Sequence, residues 1–311
     1  MLRSKDASSA RSTDSHLRRM LFALMVVGLS YAAYSVGSIL ASPASGEIPA
    51  GVTLMAEREG FDSCESYPDE AMNTWAEKSP FSYVGTYLGG RNTPCETSKE
   101  WVQKRYAAHG KVQGWDFLPL WVGRQSPCSG PGLSQFSKEL SVARSQAAEE
   151  VDLAKARAEK DGFTPGSIIY YDMEPWNTAN AECSAAFRAY LNVWSKRLNE
   201  VYGFKAGVYG GDCAGGINQL ASVEHEPNQV WLAHYWPKGT PKMESVYKVE
   251  CVPQSHWENR RFHQWDGEYE GEPSRGYREY GGVKLAVDTD CAKGLVAGHW
   301  PTGQVARCVE Q

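Results

Sequence analysis

Two acids stand two residues apart in Tyr170-Tyr171-Asp172-Met173-Glu174, at the end of a run, Ser167-Ile168-Ile169-Tyr170-Tyr171, that is apolar on both faces. Such a run suits a buried parallel strand. Strand side chains alternate, so Tyr170, Asp172 and Glu174 share one face, with the acid Cα atoms roughly 6.6 Å apart at a rise of about 3.3 Å per residue. At that spacing one negative charge raises the pKa of the other group. One acid can then stay protonated near neutral pH while the other is charged, which is what glycoside hydrolysis requires. A salt-bridged pair at a strand end is the structural alternative for the same residues. In the first reading Glu174 and Asp172 are the candidate catalytic groups.

Other strand-like runs end in polar or aromatic side chains. Gly60-Phe61-Asp62 and Val287-Asp288-Thr289-Asp290 bring three further acids, Asp62, Asp288 and Asp290. Ala233-His234-Tyr235-Trp236 and Phe262-His263-Gln264-Trp265 bring His234, Tyr235, Trp236, Gln264 and Trp265. Tyr87, Tyr170 and Trp176 complete the candidate substrate-binding set. Trp176 and Trp265 are the aromatics expected to bury part of Glu174. Acids interleaved with flat rings describe an acidic cleft with stacking platforms. No metal and no cofactor is expected: the histidines have no ligand spacing, and CxxC, GxSxG, GxGxxG and GxxxxGK[ST] are all absent.

The elements that must position these residues are legible. Strand candidates are Gly60–Cys64, Phe81–Gly89, Asp116–Gly123, Ser167–Glu174, Lys205–Gly210, Gln229–Trp236, Arg261–Asp266 and Val283–Asp290. Between them, residues 134–161 carry Phe136, Leu140, Ala143, Ala147, Val151, Ala154 and Ala158 at helical steps, with Gly162 as a stop. Residues 182–202 carry Phe187, Leu191, Trp194, Leu198 and Val201 in the same way before Gly203, and 98–109 form a shorter helix. The stretch 237–260 reads as a long loop. Eight strands alternating with helices predict an α/β fold, a single-domain (β/α)8 TIM barrel. A doubly wound open sheet is the runner-up. In such barrels the site sits at the C-terminal ends of the strands.

The chain has 311 residues, 42% of them hydrophobic, enough for a sizeable core. Residues 1–44 read as an export signal or an N-terminal membrane anchor: a basic stretch ending Arg18-Arg19, an apolar run Met20–Leu40, then Ala41-Ser42-Pro43-Ala44. The arginine pair is compatible with a twin-arginine signal. Residues 45–57 read as a linker and 58–311 as the barrel domain. The net charge is −5, and the leader carries +3, so the body stands at −8. That balance excludes a nucleic-acid partner, which needs a basic face. All eight cysteines lie beyond the leader, as in exported disulfide-bonded chains. The expected location is extracellular or in the cell envelope, with any membrane attachment confined to the N-terminal segment.

Over residues 58–295 the chain resembles the glycoside hydrolase-like domain family (domain of unknown function 1906) and, related to it, the family-25 glycoside hydrolases, the barrel lysozymes of cell-wall lysis. The resemblance rests on Gly60-Phe61-Asp62-Ser63-Cys64, Tyr87-Leu88-Gly89-Gly90, Asp172-Met173-Glu174 and Val287-Asp288. It implies that Asp62, Asp172, Glu174 and Asp288 line the site, with Glu174 as proton donor and Asp172 orienting or stabilising developing positive charge. Asp62 and Asp288 would hold the sugar. The implied partner is a polysaccharide or peptidoglycan. A barrel that binds glycan without cleaving it, or that serves as an envelope scaffold, is the competing reading.

Overall fold

A computed structural model describes residues 52–54, 58–65, 67–95, 115–211, 214–235, 246, 249, 251–267 and 276–297. The helix expected over 98–109, the leader 1–44 and Trp236 lie outside them. Twelve strands are found in chain order: β1 Val52–Leu54, β2 Arg58–Asp62, β3 Tyr83–Gly89, β4 Asp116–Trp121, β5 Ile168–Met173, β6 Lys205–Gly211, β7 Gln229–Ala233, β8 Arg261–Asp266, β9 Tyr277–Tyr280, β10 Val283–Ala286, β11 Asp288–Lys293 and β12 Leu295–Ala297. Strands β2 to β8 pair in sequence order, all parallel, and β11 closes the ring between β8 and β2. The result is the expected eight-stranded TIM-like barrel.

The eighth strand differs from expectation in place and direction. The run Val283–Asp290 is cut in two. Gly281 and Gly282, at φ 58° and 77°, turn β9 into β10 as a hairpin outside the barrel; glycine takes two such angles in succession at no steric cost. The barrel strand is β11, and it runs antiparallel to both neighbours. Its start, not its end, therefore lies at the mouth, where Asp288 stands opposite Asp62.

Among the described residues three α-helices cover the first half of the ring: α1 Asp69–Lys78, α2 Leu140–Lys160 and α3 Ala181–Lys196. The α2 stripe is Ala143, Ala147, Val151, Ala154 and Ala158, all buried, while Phe136 precedes the helix and Leu140 is exposed. Small residues let α2 lie close to the sheet and to α3. Gly162, at φ 94°, ends the α2 segment. α3 runs into a π-helical turn, Arg197–Val201, and buries Phe187, Leu191 and Trp194. α1, which the sequence patterning missed, seats Trp75 against Phe61 and against Tyr280 of the hairpin, at ring centroids of 5.3 and 5.2 Å. After β6 the described connections hold a 3₁₀ turn, Ile217–Ser222, and the β9–β10 hairpin but no α-helix. No described helix is long and apolar enough to cross a membrane.

The barrel interior is packed by pairing large rings with missing side chains. Tyr83, Tyr170, Trp231 and Phe262 are fully buried there with Leu118, Leu120 and Ile168. A Cβ on Gly60 would sit 2.2 Å from the Tyr83 ring, on Gly85 2.7 Å from Trp231, and on Gly207 2.5 Å from Tyr170. Below this layer the chain seals the far end. Gly294 leads into β12, Val296 enters the core, and the Gln229 amide accepts from the Leu295 N–H and donates to its carbonyl at 2.5 and 2.9 Å. β1, inside the segment expected to be linker, pairs with β12. Gly207→Ala forces the Tyr170 ring out of place and should cost about 1–3 kcal/mol; urea unfolding that shows less than about 0.5 kcal/mol would disprove the ring-in-gap packing.

Candidate active site

The inward-facing positions at the C-terminal ends of the parallel strands, with the start of β11, form the mouth. Gln264 of β8 sits at its centre. Its Oε1 accepts from the Tyr209 and Tyr235 hydroxyls, both at 2.8 Å, and its Nε2 donates to Asp62 Oδ2 at 2.6 Å and reaches Asp288 Oδ2 at 3.5 Å. Two phenol donors on one side and two carboxylate acceptors on the other leave the amide a single orientation. The Tyr87 hydroxyl donates to Asp62 Oδ1 at 3.3 Å. A cavity of about 250 Å³ opens here, lined among others by Asp62, Ser63, Glu65, Tyr87, Val287 and Asp288.

The acids are held where ionisation is costly. Asp62 is buried, and burial pushes its pKa well up, reinforced by Asp288 and opposed by the bonds from Gln264 and Tyr87. Asp172 is buried too, and its pKa stands well above the usual range because of burial, then Glu174, then Asp62. Glu174 projects at the rim, open to solvent, yet the protein around its carboxyl raises its pKa. The two carboxyl groups act on each other in opposite senses: Glu174 raises the pKa of Asp172, and Asp172 lowers that of Glu174. This corrects the expectation that the Asp172 charge raises Glu174: burial raises it, and Asp172 works in the opposite sense. The cavity opens on the Asp62 and Asp288 side of the mouth, and Asp172 interacts electrostatically with both Asp62 and Tyr87.

A buried glutamine that sequence reading passed over fixes the end of β5. The Gln125 side chain donates to the Asp172 carbonyl at 2.9 Å and accepts from the Glu174 N–H at 2.8 Å. It completes the backbone pairing of the strand end as a neighbouring strand would. Gln125 is held by its own backbone, bonded to Ser134 and Phe136. Two disulfides brace the same rim. Cys64–Cys95 ties the loops after β2 and β3, and Cys128–Cys183 ties the loop after β4 to the start of α3. Cys251 and Cys291 are also disulfide-bonded, and none of the described cysteines is free.

Of the other expected contact residues, Tyr87, Tyr235 and His234 are half-buried at the mouth, where the His234 carbonyl bonds His263 Nε2 at 2.9 Å. Four depart from expectation. Tyr170 is fully buried one pleat below Asp172, where Gln229 donates to its hydroxyl. Trp176 is buried against Phe187, its indole N–H bonded to the Gly215 carbonyl at 2.9 Å. Trp265 alternates with inward-facing Gln264 and packs outside the barrel near Val246 and Cys291. Asp290 is fully buried, because β11 descends from the mouth and places it a layer beneath Asp288. Tyr209, which period-2 alternation along β6 would have placed inward, belongs to the mouth instead. Gln125→Leu should leave the Glu174 amide without its acceptor and cost about 1–3 kcal/mol. Hydrogen exchange checks it: if the Glu174 N–H stays as protected as in the wild type, the glutamine does not hold the strand end.

Comparison with known proteins places the chain. The profile of the Rv2525c-like, glycoside hydrolase-like domain family matches residues 73–290. Among solved structures, the chain is similar to an uncharacterized protein of B. stearothermophilus, at 14% identity over 76% of this chain and 95% of that one, with a TM-score of 0.46. It is similar to the Tat-secreted protein Rv2525c of Mycobacterium tuberculosis, crystallised with L-tartrate, at 14% identity over 81% and 99%, TM-score 0.44. A family 25 glycosyl hydrolase from Bacillus anthracis shares 12% identity over 80% and 95%, TM-score 0.43. No curated protein matches the chain.

Proposed function

Because the chain belongs to the Rv2525c-like, glycoside hydrolase-like domain family, we propose that its mouth binds an envelope or extracellular polysaccharide, peptidoglycan foremost, and hydrolyses it by carboxylate general-acid catalysis. The observation that carries this reading is the neighbouring pair Asp172 and Glu174 at the end of β5, one acid buried and one exposed at the rim, with raised pKa values on both. A glycosidic oxygen leaves only as it is protonated. Glu174 is the member of the pair that solvent, and so a substrate, can reach. It gives its proton to the leaving oxygen as the C–O bond breaks, and the water that adds to the anomeric carbon returns a proton to the Glu174 carboxylate. Asp62 and Asp288, oriented by Gln264, face the sugar with Tyr87, Tyr209, Tyr235 and His234.

The same reading places the domain outside the cytoplasm, with residues 1–44 as its export signal or membrane anchor. The disulfides support it, since such bonds persist in oxidising compartments.

Glu174→Gln keeps shape and hydrogen bonding and removes the acid. Hydrolysis of purified cell walls should fall about 10²–10⁴-fold, while pull-down on the same walls is retained. Equal turnover by the variant removes Glu174 from the mechanism. A wild type that binds walls but releases no reducing ends replaces the enzyme with a binding barrel. Asp172→Asn should move the alkaline limb of the pH profile to higher pH, because it removes the neighbour that lowers the pKa of Glu174. An unmoved limb would show that the two acids do not titrate together.

A further inference from the structure

One carboxyl group, a layer beneath the mouth, has no place in that scheme. Asp290 is fully buried. Its Oδ1 accepts from the Trp231 indole N–H at 2.8 Å. Its Oδ2 is sealed from solvent and meets no donor. A carboxylate oxygen left in that condition costs several kcal/mol. Across the β2–β11 ladder the diagonal neighbour of Asp290 on the same face is another acid, Asp62, whose two oxygens already accept from Gln264 and Tyr87. Two carboxylates that close in a dry barrel cannot both be charged.

We propose that Asp290 is a positioning residue that keeps a proton between itself and Asp62, so that the pair carries one negative charge and Asp62 is held toward the cavity by a third hydrogen bond. The O–H of Asp290 donates to Asp62, and no bond to carbon is made or broken. Asp62 then accepts from three directions, Tyr87 on β3, Gln264 on β8 and Asp290 on β11, and its carboxylate plane is fixed. The Trp231 N–H favours the charged form of Asp290, and the other groups around it favour the neutral one. They are Asp62 on β2, Asp288 on its own strand, and the phenols Tyr83, Tyr170 and Tyr235 on or after β3, β5 and β7. Burial and the neighbouring acids push Asp290 well above the ordinary range. The role at substrate rests on the proposed function; the shared proton does not, and it is read without turnover.

The test uses the full chain labelled with ¹³C at aspartate Cγ. At neutral pH the wild type should show a carboxyl resonance at the protonated position that disappears in Asp290→Asn, whose amide still accepts from Trp231 and donates to Asp62. Stability gives a second readout. A group raised in the folded state contributes stability below its ordinary pKa and loses it as pH rises toward the raised value. Across that window the folding constant of the wild type should fall about tenfold per pH unit more steeply than that of the variant, since one proton is at stake. Should Asp290→Asn not fold, Asp62→Asn puts an amide donor opposite Asp290, and the Asp290 resonance should move to the ionised position. An Asp290 resonance already ionised in the wild type, or unchanged in Asp62→Asn, overturns the proposal. Loss of wall hydrolysis with these signals intact would count against the enzyme reading alone.

Discussion

β11 runs against both of its neighbours, and the chemistry of the mouth depends on that reversal. A parallel eighth strand would deliver its acids at its end; the antiparallel one delivers Asp288 at its start, opposite Asp62, and carries Asp290 downward beneath it. A one-residue bulge against β8, between Thr289 and Asp290, lets Gln264 keep facing inward while Asp266 stays paired opposite Thr289. The β9–β10 hairpin supplies the return path. It is anchored by the Trp75 indole bonded to the Val283 carbonyl at 3.0 Å and by Arg278 on Asp266. Ser63 bonds the Ala286 carbonyl at 3.1 Å, and Tyr67 bonds it too. Loop, hairpin and strand therefore set the position of Asp288 together.

The acids are affordable in a dry interior only because neutral donors surround them. Gln264, Tyr87 and Trp231 stabilise charge without bringing a cation that would quench it. Guanidinium groups are used elsewhere. Arg91 and Arg124 are bonded to Glu149 and Glu150 behind the rim, and Glu150 also takes the Trp121 indole N–H at 2.7 Å. This division keeps the electrostatics of the mouth acidic while the helices that carry it are tied by ordinary ion pairs. A carboxyl that must hold a proton near neutral pH needs that arrangement.

Much of this was legible before any coordinates. Seven barrel strands stand within a few residues of their predicted runs, because parallel strands buried on both faces must be apolar throughout, as Ile168–Met173 is. The acids were legible because charge at the end of such a run needs a reason. The eighth strand was not, because Val283–Asp290 is as strand-like as the rest, and the Gly281-Gly282 signal before it was passed over. Aromatics misled for a different reason: composition counts rings without telling which way they face. Trp265 is one residue out of phase with Gln264, and Tyr170 is in phase but one layer too deep. Gln125 left no trace, since it acts on the backbone of a strand some fifty positions away, and no pattern in β5 itself points to it.

The rings set into missing side chains have a consequence for how such a barrel can change over generations. Tyr83 occupies the room that a side chain at position 60 would need, Trp231 together with the Asp62 Cβ that of 85, and Tyr170 that of 207. None of these three glycines can drift to a larger residue while its ring remains, and no ring can shrink without opening a void. Each glycine and its ring are therefore locked as one heritable unit, joined across strands far apart in the chain. A lineage that abandons one partner must replace the other in nearly the same step, so substitutions here should come in couples, while the loops above are free to change singly.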